Sequence, residues 1–168
     1  SDRNAERENS YVRLLRSMRA ATLIFAGSGL DDPVANVQMR KHLEAMRSYG
    51  AAVVHLSPHA FGAAEVGVDN VGGIASMIAE LVRLGHRQIA FLAGPTSLYV
   101  ARERLEGYRR GLAEAGIPFD EGLVVSTGFN RDGGALGIDT LLAGSASFTA
   151  VCAATDLLAI GALERLAE

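Results

Sequence analysis

"HRQIAFLAGP" (residues 86–95) sets an unbroken apolar run between a histidine and a Gly-Pro pair. A half-buried strand alternates apolar and polar residues, and Ile89–Gly94 does not alternate, so this run reads as a strand buried on both faces. Before it lies a helical pattern over residues 71–84, with Ile74, Met77, Ile78, Leu81 and Val82 on one face, which Gly85 ends. After it, residues 99–115 are helical again and stop at Gly116. The alternation continues outward in both directions. Upstream are helices over 6–19 (Tyr11, Leu14, Leu15, Met18) and 35–49 (Val37, Leu43, Met46), and strands in "ATLIFAGSG" (21–29), "AAVVHLSP" (51–58) and "EVGVDN" (65–70). Downstream are strands in "LVVSTG" (123–128) and "TAVCAAT" (149–155), with helices over 133–143 and 156–167. Apolar strands alternating with helices predict an α/β fold of parallel sheets covered on both faces, joined by right-handed crossovers.

In such sheets ligands bind beyond the carboxyl ends of the strands. Gly94-Pro95 is therefore the end that faces the chemistry. His86 lies at the other end, roughly 20 Å away over six strand residues, and is expected to bond the last carbonyls of the helix before it.

The 168 residues suffice for one domain or two small lobes, and 49% hydrophobic with 21% charged residues is an ordinary folded composition. A net charge of −3 offers no basic footprint for nucleic acid. The apolar runs fall far short of the roughly 20 residues of a membrane helix, and no secretory leader pattern opens the sequence. Together with a lone Cys152, read as a buried strand residue, this predicts a cytoplasmic protein without membrane contact. No His, Cys or carboxylate pair has metal-ligand spacing, no serine sits in GxSxG, and Gly27-Ser28-Gly29 lacks the continuation of a phosphate loop. No cofactor, metal or catalysis is expected.

The residues after each strand are Gly27-Ser28-Gly29, Ser57-Pro58-His59, Asp69-Asn70, Pro95-Thr96-Ser97, Phe129-Asn130 and Thr155-Asp156. Hydroxyls and amides dominate, which suits a small polar ligand better than acid–base chemistry. On helix 99–115 the buried stripe is Ala101, Leu105, Tyr108, Leu112 and Ala115, and Arg104 stands about 60° from its centre. It lies in the half of the helix where the dipole disfavours a cation, so it needs an anionic or multi-hydroxyl partner, or a salt bridge at the lobe surface. Glu103, Glu106, Arg109 and Arg110 read as a solvated face, and Asp69 and Asp156 as helix caps. Of the histidines, His42 reads as solvated, His55 as partly buried with its hydrogen bonds made, and His59 as the one possible ligand contact.

"VGVDNVGGIASMIAELVRLGHRQIAFLAGP", "ARERLEGYRRGLAEAGI" and "TAVCAATDLLAIGALERL", in that order, resemble the effector-binding core of LacI/GalR-family transcription regulators over residues 66–168, with a looser likeness upstream. The resemblance implies two Rossmann-like parallel-sheet lobes of periplasmic-binding-protein type I, partial here: residues 1–67 in the N-terminal lobe and 68–168 in the C-terminal lobe. It implies a sugar, polyol or nucleobase-like effector, contacted by Arg104 and Phe129. Ser57 falls where many members have aspartate and Thr155 where many have asparagine, so hydroxyls replace stronger sugar hydrogen-bonders; Ser28 completes the candidate contacts. It further implies a homodimer, and operator DNA bound only through a helix-turn-helix that these residues do not include. The first lobe strands and the closing strands are expected to be missing as well, leaving strand 21–27 with an edge that pairs with another chain unless the sequence is a fragment. A periplasmic solute-binding protein shares this fold, and a flavodoxin-like or Rossmann-like enzyme is the third reading.

Overall fold

The structure, a computed structural model, describes residues 4–168. Its chain forms two compact units, the first made by the chain up to Val68 together with Ser97–Val100, the second by Asp69–Thr96 and Ala101–Glu168.

The first unit contains α1 (Ala5–Ser17), β1 (Thr22–Phe25), α2 (Pro33–Arg47), β2 (Ala52–His55) and β3 (Ala64–Glu65). The strands form a parallel sheet in the order β1-β2-β3. Asn4 caps α1 by accepting from the Arg7 amide, and Asp32 caps α2, where Pro33 opens the helix. Leu23, Phe25, Val53 and His55 turn to one side and form a core with Met39, Leu43 and Met46 of α2 and Val12 of α1. The other side is not buried: Thr22 and Ala52 are exposed and Ile24 is 58% exposed. These residues therefore cover one face of this sheet. Within these residues the burial alternates, with Leu23, Phe25, Val53 and His55 buried and Ile24 and Val54 less so. β3 is also shorter than "EVGVDN" suggested: it ends at Glu65, the Val66 amide still donates to the His55 carbonyl, and Val66 and Val68 are exposed.

Two helix faces differ from the predicted stripes. α1 has two apolar stripes, and it buries Val12 and Asn9 while Tyr11, Leu14 and Met18 stay exposed. α2 buries Asn36, Met39, Leu43 and Met46 and exposes Val37. In both, an asparagine takes a buried position because its amide finds carbonyls to bond, so apolarity alone picks the wrong register.

The second unit contains α3 (Asn70–Arg83), β4 (Ile89–Ala93), α4 (Tyr99–Glu114, its first turn in the first unit), β5 (Val124–Ser126), α5 (Arg131–Ala143), β6 (Ala150–Ala153) and α6 (Asp156–Leu166). The parallel order is β5-β4-β6, which places the unit's first strand between the other two. All five residues of β4 are buried, as its sequence predicts. Neighbouring side chains point to opposite faces. Phe91 stacks on Tyr108 of α4, with ring centroids 4.8 Å apart, and the Tyr108 hydroxyl donates to the Ile89 carbonyl at 2.8 Å. Leu92 packs against α5 at Gly137, where an added methyl would meet it at 2.7 Å. α3 lies against α4 through Gly107 and Gly111. Its buried positions are Ala75 and Ile78, while Met77 is exposed. Leu105 of α4 and Ala115 just beyond its end are half-buried, and Cys152 is buried in β6.

His86 sits at the amino ends of the strands, as expected, but its side chain has a different partner. Its backbone amide donates to the Leu81 carbonyl and closes α3, whereas the ring Nδ1 lies 2.9 Å from the Thr149 hydroxyl. The imidazole thus ties the entry of β4 to the entry of β6. Thr155, not Asp156, caps α6, because a β-region residue one step earlier carries the accepting oxygen.

Candidate functional site

Three loops leave the second sheet at its carboxyl edge, after Ala93, Ser126 and Ala153. Arg104 reaches this edge from α4. Its Nε donates to Asn70 Oδ1 at 2.9 Å, and its Nη1 donates to the Ala154 carbonyl at 2.6 Å. Asn70 is buried at the start of α3, and its amide nitrogen in turn donates to Glu103 Oε2 at 2.9 Å. Glu103 is therefore half-buried and orients Asn70, rather than belonging to a solvated face. Burial weighs against the charge of Arg104, and the carboxylates of Asp156 and Glu103 partly restore it. The second terminal nitrogen, Nη2, makes no hydrogen bond with the described residues. A half-buried guanidinium is thus clamped at two nitrogens and keeps one fork arm for an incoming oxygen.

Phe129 is buried, with its ring directly over Gly94. Any β-carbon at residue 94 would overlap that ring, so the turn that follows β4 requires glycine for close approach. Asn130 caps α5 by accepting from the Gly133 amide at 2.7 Å. The Thr155 hydroxyl accepts from the Leu158 amide at 3.4 Å, which leaves its proton to donate elsewhere. Arg104, Phe129 and Thr155 are all in the second unit, and Arg104 bonds the carbonyl of the residue just before Thr155.

The other candidates are in the first unit. Ser57 donates its hydroxyl to the Gly27 carbonyl at 2.7 Å, and the Ser28 hydroxyl oxygen accepts from the Val100 amide at 3.1 Å while its proton turns toward the Gly29 carbonyl at 3.3 Å. His59 places Nδ1 2.7 Å from the Ser57 carbonyl and packs against Gly29. The structure therefore gathers Ser28, Ser57 and His59 around Gly27–Gly29. With its proton spent on Gly27, Ser57 offers a ligand an acceptor.

Sequence reading saw Asn70 only beside a cap. Its role as the anchor of Arg104 depends on a contact 34 residues away, which no local pattern encodes. Among the described residues no group of three His, Cys, Asp or Glu could hold a metal ion, and no helix is long and apolar enough to cross a membrane.

A family model described as periplasmic binding proteins and sugar binding domain of LacI family matches residues 1–168. The HTH-type transcriptional regulator CelR of Thermobifida fusca is 41% identical over 101 residues, 60% of this chain and 30% of the regulator. The HTH-type transcriptional repressor PurR of Vibrio atlanticus is 27% identical over 165 residues, 97% of this chain and 47% of the repressor. Among solved structures, a CelR–cellobiose complex superposes with a TM-score of 0.79 at 32% identity, over 97% of this chain and 48% of that one. A LacI-family sugar-binding regulator from Escherichia coli, complexed with phosphate, superposes with a TM-score of 0.79 at 27% identity, over 97% of this chain and 57% of that one. The chain spans about half the length, or less, of the curated relatives it matches. With the family model matched from end to end, the chain belongs to the family of periplasmic binding proteins and LacI-type sugar-binding domains.

Proposed function

We propose that this chain is the effector-sensing part of a LacI-type transcription regulator and binds a small polar metabolite without transforming it. The observation that carries the reading is Arg104, clamped by Asn70 and the Ala154 carbonyl with Nη2 left over. A guanidinium held in this way recognises vicinal hydroxyls or an anionic oxygen. The relatives' cellobiose and phosphate complexes are both oxygen-rich, which supports a sugar, polyol or nucleobase-like effector. Phe129, Thr155, Ser57 and Ser28 are the further contacts in this reading, Thr155 as a donor and Ser57 as an acceptor.

The regulator acts in the cytoplasm as a homodimer, and operator DNA is read by a helix-turn-helix outside these residues, consistent with the net charge of −3. The effector shifts the protein between two conformations only by its differential affinity for them.

Thermal-shift screening against cellobiose, inorganic phosphate, polyols and nucleosides identifies the effector class, and calorimetry with the hit tests the site. Arg104→Ala is expected to weaken binding about 10- to 100-fold, the worth of a charged hydrogen bond. Arg104→Lys is expected to bind poorly too, since an ammonium cannot hold Asn70 and Ala154 and still reach the ligand. Wild-type affinity in both variants would remove Arg104 from the site.

A further inference from the structure

A polar recess of about 300 Å³ lies in the first unit between α1 and α2. The two helices run in the same direction there, with Asn9 opposite Ala35 and with Arg13 and Arg16 near His42. α1 lines the recess with Glu6, Asn9, Ser10 and Arg13. From α2 come Gln38 and His42, with Asp32 at the cap.

Asn9 is only 8% exposed, and its amide nitrogen donates to the carbonyls of Ala5 at 3.1 Å and Ala35 at 3.2 Å. Those two bonds fix the amide, because the flipped group would set oxygen against two carbonyl oxygens. Its Oδ1 is therefore a buried acceptor, and it has no partner among the described residues. The Nδ1 of His42 is buried and unpartnered in the same way, so this histidine is not the solvated residue its sequence position suggests. Burial, Arg16 and Arg13 all press the His42 pKa downward, which favours the neutral ring, whose Nδ1 serves as donor or acceptor by tautomer. A molecule in the recess would recover hydrogen bonds that the fold leaves unmade.

The charges along the recess are sorted. Glu6 and Asp32 stand at the end where both helices begin, and Arg13 stands with His42 further along. From Asn9 to Arg13 is one helical turn, about 6 Å. Helix dipoles account for acids early and bases late on a helix. They do not account for an unpaired, buried Asn9 oxygen between the two.

We propose that this recess binds a small zwitterion whose ammonium and carboxylate stand about one helical turn apart, as in an ω-amino acid of roughly four to six carbons. The ammonium donates to Asn9 Oδ1 and to the carboxylates of Glu6 and Asp32. The carboxylate accepts from the Arg13 guanidinium and from the Gln38 amide or the protonated Nδ1 of His42.

The test titrates the chain with 6-aminohexanoate, followed by the His42 imidazole resonances and by calorimetry. A saturable His42 shift is expected, with affinity falling about tenfold or more in Arg13→Gln. Hexylamine and hexanoate, each keeping one charge, are expected to bind about tenfold more weakly than the zwitterion. Arg40→Gln alters the net charge equally from an exposed position on α2 and is expected to bind as the wild type does. The proposal is overturned by the absence of a saturable shift, by hexylamine binding as well as the zwitterion, by unchanged affinity in Arg13→Gln, or by an equal loss in Arg40→Gln.

Discussion

Acid is expected to destabilise the first unit through the single imidazole of His55, by about 2 kcal/mol at pH 5 and about 3 kcal/mol once the pH falls below 4. This side chain is 2% exposed, packed edge-on against Phe25 and Phe61, with the His59 ring 4.4 Å away by centroid and Nε2 unpartnered. Burial first, then the nearby positive groups of His59 and Arg47, push its pKa from 6.5 down to about 4. His59 is pushed down as well, chiefly by burial, against the opposing pull of the Ser57 carbonyl and Glu65. The sign follows from linkage. A histidine with a depressed folded pKa binds its proton more readily when unfolded, so its contribution is whole above about pH 6.5 and is lost progressively as the pH falls toward 4. Urea unfolding at neutral pH and at about pH 5 measures the loss. His55→Leu removes both the titrating group and an unpaired buried nitrogen, so it is expected to flatten the pH dependence and raise stability in acid. If His55→Leu loses stability between the two pH values as steeply as the wild type, the acid sensitivity lies elsewhere.

Replacing Gly134 or Gly161 with alanine is expected to cost about 3 kcal/mol or more, although a glycine-to-alanine change inside a helix normally stabilises it. The two glycines make a reciprocal contact between α5 and α6. A methyl on Gly134 would overlap the Leu158 carbonyl oxygen, and one on Gly161 would overlap the Arg131 carbonyl oxygen. Both obstacles are backbone, so no side-chain rotation relieves them, and α5 and α6 must separate. Leu158 and Ile138, completely buried beside that contact, would lose packing as they part. A melting temperature lower by roughly 10 °C is expected for either variant. Gly73 is the internal comparison, because a methyl there meets nothing within 4 Å and Gly73→Ala is expected to be neutral or stabilising. Equal behaviour of Gly134→Ala and Gly73→Ala would show that the helix contact is soft.

The centre of the second unit was readable because β4 is apolar at every position, and only a strand covered on both sides needs that. The same rule says less at β1, where Ile24 is apolar yet exposed within these residues, because hydropathy does not show what lies on the other side of a sheet. Helix registers were harder still. α1 offers Tyr11, Leu14 and Met18 as one stripe and Val12 as part of another, and the buried choice turned on Asn9 finding the Ala35 carbonyl. Arg104 could be singled out from its place on the helix and its unfavourable position in the dipole, but its clamp could not, since Asn70 and Ala154 lie far away in sequence. His55 gave no sign that its Nε2 would be left without a partner, because that depends on which rings close around it.

The contrast between β4 and β1 also bears on how the backbone would exchange with deuterated water. β4 is bonded along both edges and buried throughout, so its amides are reached only by the most complete opening of the second unit. In β1 only Leu23 and Phe25 turn into the core of this chain, so its amides are expected to exchange ahead of those of β4 when this chain alone is measured. The loops that carry Ser28 and Ser57 leave from the sheet of β1 and β2, and those that carry Phe129 and Thr155 leave from the sheet of β4.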